Sequence, residues 1–178
     1  MGMFALLTLG IAFAGGPTVL PGAPALQFTL PAINEDTAMD LVNKPTVALS
    51  DFAGLDPAYP HRVTVLYFCT RKAGGDGLTT LEQISKRYKG KDVQIVAILA
   101  EPGEVGPLAD WVSGLGLTFP VLRDHHRIVT SRYGLDDLPV TYLVDASGDV
   151  YAAGNPRGGD LETELTAGLD ALLEAPAE

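Results

Sequence analysis

Apolar and polar positions along the chain fall into runs of two periods, and the order of those runs carries the fold. Val63-Thr64-Val65-Leu66-Tyr67-Phe68 is β-branched and aromatic with almost no polar residue, the composition of a strand buried on both faces. Beyond the loop Cys69-Thr70-Arg71-Lys72-Ala73-Gly74-Gly75-Asp76-Gly77, apolar residues recur at Leu78, Leu81, Ile84 and Tyr88. That spacing predicts an amphipathic helix packed on the strand. Asp76 stands just before it, where a carboxylate accepts from orphan N–H groups of the first turn. Val93-Gln94-Ile95-Val96-Ala97-Ile98-Leu99 predicts a second buried strand. Strand, helix and strand in this order imply parallel pairing through a right-handed crossover.

The flanking segments complete the order. Ala25 to Pro31 alternates and is stopped by proline, a short edge strand. Thr46-Val47-Ala48-Leu49 alternates again, and the two are expected to pair as a hairpin with Asn34 to Asn43 as a long connection. Asp56 to His61 reads as a Pro-rich surface loop. A helix is predicted over Glu104 to Gly116, with Leu108, Trp111, Val112 and Leu115 on one face and Gly116 as its stop. Phe119 to Leu122 is a short extended piece, and Ile128 to Tyr133 a brief helix ended by Gly134. Thr141 to Asp145 and Val150 to Ala153 flank Ala146-Ser147-Gly148-Asp149, the pattern of a second hairpin. Asp160 is expected to cap a closing helix whose stripe is Leu161, Leu165, Leu169 and Leu172.

Composition narrows what this α/β chain does. It has 178 residues, 47% hydrophobic and 19% charged, which is globular, with a formal net charge of −10. The basic run Lys86 to Lys91 sits at a predicted helix C-terminus, where cations complement the dipole, so a nucleic-acid partner is not expected. Cys69 is the single cysteine. It excludes a disulfide within the chain and a zinc or iron–sulfur site built from several cysteines of one copy. Asp124-His125-His126 has metal-ligand residue types but reads as a surface turn, so no metal or cofactor is expected. Phe4 to Ala14 is an apolar segment too short to span a bilayer, and Ala12-Phe13-Ala14 fits a small-x-small cleavage pattern. Residues 1–24 are therefore read as signal peptide and Gly/Pro-rich linker, 25–174 as the folded domain and 175–178 as a tail. The mature chain is then exported, to a bacterial periplasm, without a transmembrane helix. The usual Lys or Arg before the apolar segment is missing, and the other reading is a short buried element of a cytoplasmic protein.

Several stretches in this order resemble the redoxins, the TlpA-like and thiol-specific-antioxidant branch of the thioredoxin superfamily. Ala25 to Pro31 followed by Val47-Ala48-Leu49-Ser50-Asp51-Phe52-Ala53-Gly54 is similar to the family's opening. Leu117-Thr118-Phe119-Pro120-Val121-Leu122-Arg123-Asp124 and Tyr133 to Gly148 are similar to two later motifs. The resemblance covers roughly residues 23–173. It implies a thioredoxin-like fold, a central mixed β-sheet flanked by helices, with an N-terminal β-hairpin extension. It also implies a cis peptide at Leu138–Pro139, beside the active loop, where the residue before the proline offers backbone groups to an extended peptide.

The family's chemistry uses a Cys-x-x-Cys at the helix start. One thiolate attacks a disulfide and the other resolves the mixed disulfide. Counting from Phe68 puts that pair at Ala73 and Asp76; counting back from Tyr88 puts it at Arg71 and Gly74. None of the four is a thiol. Cys69 has two readings, a small buried core residue or a reactive thiol whose pKa is lowered by Arg71 and Lys72. The apolar strand before it favours burial, and Cys69→Ser is expected to cost little stability. The first functional reading is a non-redox binding or assembly module. Its groove is formed by Lys72, Ala73, Gly74, Gly75, Asp76, Leu138 and Pro139, and its partner is an extended peptide or protein. The alternative is a thiol–disulfide oxidoreductase or peroxiredoxin-like antioxidant enzyme acting through Cys69.

Overall fold

The computed structural model describes residues 19–53, 63–156 and 158–174. Phe4 to Ala14 and Asp56 to His61 lie outside the described residues. Strand β1 (Thr29–Pro31) and β2 (Thr46–Ala48) form a two-stranded antiparallel sheet. The main sheet holds β3 (Val63–Cys69), β4 (Val93–Leu99), β5 (Val121–Arg123), β6 (Val140–Asp145) and β7 (Val150–Gly154) in the order β5-β4-β3-β6-β7. β3 runs parallel to β4 and antiparallel to β6, so the sheet is mixed. Helix α2 (Gly77–Arg87) is the crossover between β3 and β4, and α3 (Val105–Gly114) the one between β4 and β5. The short α4 (Ile128–Arg132) and the closing α5 (Gly159–Glu174) complete the layers.

All seven residues of β3 are buried, as a strand covered on both faces requires. Their alternation divides the core in two. Leu66 and Phe68 point into a cluster with Val96, Ile98, Tyr133, Tyr142 and the residues of the small sheet. Val63, Val65, Tyr67 and Cys69 point the other way, among Leu78, Leu81, Leu99, Leu161, Leu165 and Leu169. In the first cluster the Phe68 ring lies 5.0 Å from that of Tyr133 and 6.0 Å from that of Tyr142. The tilted and edge-on contacts suit the ring quadrupoles.

Three expectations need correction. The connection between β1 and β2 is not a loop throughout, because it contains helix α1 (Glu35–Val42). Its signals are in the sequence: Glu35 and Asp36 in the first turn oppose the positive end of the dipole, and Asn43 closes the helix in the left-handed region at φ 55°. Asn34 ties that helix to the main sheet, donating to the Phe119 carbonyl at 2.9 Å and accepting from Val121 N at 2.8 Å. Second, α5 begins at Gly159, so Asp160 lies in its first turn rather than at its cap. Third, α3 is shorter than the apolar pattern suggests, and Trp111 and Leu115 are only partly buried beside Leu108 and Val112.

Phe68 is fully buried between two tyrosine rings, so Phe68→Ala is expected to destabilise the fold by about 3–5 kcal/mol. Urea unfolding with an unchanged m-value measures it; a loss below about 1 kcal/mol would mean that this cluster is not packed as described.

Candidate functional site

The sheet register assembles one end of the molecule. Phe68 pairs with Val140, which sets Pro139 beside the loop that leaves β3. The Leu138–Pro139 peptide is cis. A cavity of about 360 Å³ opens here between that bond, the loop and the first turns of α2 and α5. Of the groove residues expected from sequence, Lys72, Ala73, Gly74, Asp76, Leu138 and Pro139 line it. Gly75 does not: it is buried behind the loop, where an added Cβ would strike the Arg71 carbonyl. Four wall residues escaped sequence reasoning, Tyr67, Gly77, Gly158 and Leu161. Strand parity could have found Tyr67, since it shares the face of β3 that α2 covers. Gly158 and Leu161 are far away in sequence and carried no signal.

The loop is folded on itself. Thr70 N donates to the Ala73 carbonyl at 2.9 Å, and Ala73 N donates to Thr70 Oγ1 at 2.9 Å. Tyr67 reaches up from the strand, its hydroxyl donating to the Gly74 carbonyl at 2.9 Å. Gly74 has φ +88°, and a Cβ there would stand 2.6 Å from Pro139 Cβ. Glycine thus serves two needs at once, a left-handed backbone and close approach to the proline. Asp76 caps α2, accepting from Gly77 N at 3.0 Å. Glu101, just past β4, accepts from Arg71 N at 2.9 Å and Arg71 Nε at 2.8 Å, with Arg71 Nη2 at 2.6 Å.

Cys69 is outside this cavity. It is the last residue of β3, fully buried, and parity turns it into the apolar cluster under α2. Burial pushes its thiol pKa strongly upward, and the carboxylates of Glu101 and Asp76 add to the rise. Activation by Arg71 and Lys72 is therefore corrected. Arg71 is spent on Glu101, and the charges that raise the thiol pKa are negative.

The Asp124-His125-His126 turn is structural. Asp124 is buried and holds the start of α4, accepting from Thr130 N at 2.8 Å and Thr130 Oγ1 at 2.6 Å. The two imidazole rings do not point apart, as neighbours commonly do, but lie 4.3 Å apart edge-on. Burial, Arg123 and His126 hold His125 below the ordinary imidazole value. Among the described residues, no three His, Cys, Asp or Glu side chains gather where a metal could bind.

A mixed five-stranded sheet with a cis-proline facing the loop between a central strand and its helix defines a thioredoxin-like redoxin scaffold. The chain belongs to the AhpC/TSA family, which it matches over residues 21–153. It is 27% identical to the thiol–disulfide oxidoreductase ResA of Bacillus subtilis over 138 residues, 78% of this chain and 69% of that protein. ResA of Bacillus anthracis is 31% identical over 70 residues, 39% of this chain and 40% of that protein. The matched stretch therefore spans less than half the length of the latter relative. Among solved structures, a DsbE-type thiol:disulfide interchange candidate from Chlorobium tepidum superposes with TM-score 0.70 at 22% identity, covering 86% of this chain and 97% of its own. A secreted Mycobacterium tuberculosis disulfide oxidoreductase superposes with TM-score 0.61 at 20% identity, covering 81% and 95%. Both likenesses show the fold. No helix among the described residues is long and apolar enough to cross a membrane.

Native Cys69 is expected to resist iodoacetamide for hours at neutral pH and to react within minutes once unfolded. Because its pKa is raised, the protonated form persists as pH rises, and raising the pH to about 9, where an ordinary thiol is largely ionised, should not restore native reactivity. Cys69→Ser, expected from sequence to cost little, buries a hydroxyl among apolar side chains and should cost about 1–3 kcal/mol in urea unfolding. Alkylation within seconds in the native state would overturn the burial argument.

Proposed function

We propose that this protein is a redoxin-fold binding module that holds an extended polypeptide segment across the cavity between Lys72–Asp76 and Leu138–Pro139, without exchanging disulfides itself. One observation carries the reading. The positions where the resemblance expects two thiols, Ala73 and Asp76 counted from Phe68 or Arg71 and Gly74 counted back from Tyr88, hold none. Ala73, Gly74 and Asp76 stand at the wall of an open cavity, while the one thiol of the chain is sealed in the core. Leu138 and Pro139 line that cavity opposite the loop, so an extended segment lying across it meets both walls. The reading includes export of a domain spanning 25–174 behind the apolar segment Phe4 to Ala14, and no cofactor.

Family membership and the ResA relatives favour a second reading, a thiol–disulfide oxidoreductase or peroxiredoxin-like enzyme acting through Cys69. It requires the loop to move far enough to admit a substrate to a buried sulfur. It also requires an external thiol to resolve the mixed disulfide, because the chain has no second cysteine.

Ala73→Trp is the deciding variant, since Ala73 lines the cavity without the left-handed backbone of Gly74, and a large side chain there would occupy the space facing Pro139. Titration calorimetry with unfolded, cysteine-free peptides should show binding by the native protein and at least a tenfold loss in the variant. Turnover of peroxide or of a protein disulfide by the native chain, abolished by Cys69→Ser, would decide for the enzyme. In the converse experiment, Ala73→Cys combined with Asp76→Cys should confer dithiothreitol-dependent reduction of insulin disulfides that the native chain lacks. If that double variant is folded yet inert, the cavity is not the family's substrate groove.

A further inference from the structure

We infer that Glu101 is the positioning residue of the site: its carboxylate clamps the Thr70–Asp76 loop to the end of β4, and so shapes the cavity and keeps Cys69 closed. The geometry is unusual for an ion pair near a surface. One carboxylate accepts from both the backbone and the side chain of the same residue, Arg71 N at 2.9 Å to one oxygen and Arg71 Nε at 2.8 Å to the other. Nη2 lies 2.6 Å from that second oxygen. The fork fixes the guanidinium plane, and the backbone bond fixes the main chain from which that guanidinium springs. Two adjacent strands are joined by this clamp, β3 through its outgoing loop and β4 through Glu101.

Other bonds show what the clamp supports. Ala100 N donates to the Cys69 carbonyl at 2.8 Å, the last backbone bond between the strand ends. Past it, the loop turns away and no longer follows β4. It is held from below by Tyr67 on the Gly74 carbonyl, and within itself by the two Thr70–Ala73 bonds. Glu101 is the side chain that holds its first residue after Thr70. Burial of the carboxylate opposes ionisation, but the Arg71 hydrogen bonds and charge outweigh it, so the Glu101 carboxyl is lowered from its ordinary value. An exposed ion pair would contribute little to global stability, since solvent screens it. The consequence is therefore local: release of Glu101 frees the loop without unfolding the sheet.

This inference rests on the cavity described above as the place of function, but its test does not need the ligand. Glu101→Ala, Glu101→Gln and Arg71→Met should be compared with the native full chain by amide exchange and by Cys69 alkylation. In Glu101→Ala, exchange at Arg71 N and the native alkylation rate should both rise at least tenfold. The urea midpoint should stay nearly constant, and amides of β3 and β4 should keep their protection. Glu101→Gln retains an oxygen that can accept from Arg71 N, so it should fall between the two. Arg71→Met keeps the backbone bond and should resemble the native chain in exchange at position 71. Unchanged exchange and alkylation in Glu101→Ala would overturn the inference. So would a rise that tracks global destabilisation, because that is the signature of a merely structural residue. Where a peptide binds the native chain, Glu101→Ala should also weaken it. A native chain that binds no peptide, with the loop effects intact, would refute the binding reading and leave the clamp standing.

Discussion

The pairing of β3 on both edges and its burial on both faces constrain everything else at the functional end. It exchanges backbone bonds with β4 in parallel and with β6 in antiparallel register, and all seven of its residues are buried. A slip of one residue would send Phe68 into the helix-side cluster and Tyr67 into the other, so the register is strongly specified. From that register follow three placements. Val140 sits opposite Phe68, which puts Pro139 against the loop; Tyr67 lies under Gly74; and Cys69 is turned into the core.

The last of these placements bears on what the one thiol of the chain can do. The family's thiols stand in the loop, where a helix N-terminus favours the thiolate. The thiol here is at the end of a strand, where apolar neighbours and two carboxylates favour the protonated form. The chain belongs to the AhpC/TSA family, and its cavity wall at Lys72, Ala73, Gly74, Asp76, Leu138 and Pro139 carries no thiol. Charge follows the same division. Arg71, a candidate activator by sequence proximity, is consumed by Glu101 in fixing the loop.

Much of the fold was legible in the chain. The unbroken apolar run of β3, the helical spacing of Leu78, Leu81 and Ile84, and the second run at Val93 to Leu99 specify a parallel βαβ unit, because periodicity and crossover handedness are local or nearly local properties. The α1 helix was missed although Glu35, Asp36 and Asn43 mark its ends, since its short apolar face is weak beside those markers. Most of the cavity wall could also be placed, at Lys72, Ala73, Gly74, Asp76, Leu138 and Pro139, by the resemblance of two separated motifs rather than by pattern alone.

What the sequence by itself determined is therefore the absence of thiols at Ala73 and Asp76 and the order of strands and helices, both of which depend on which residue stands where along the chain. Only the tertiary structure decided that Gly75 is behind the loop, that Gly158 and Leu161 close the cavity, and that Glu101 holds Arg71. These depend on the rotation of a short loop and on contacts between residues 30 or more positions apart, for which hydrophobic periodicity carries no information. The direction of the Cys69 thiol pKa stands between the two. The apolar strand foretold burial, but the sign of the surrounding charge was set by which carboxylates the fold brought within reach.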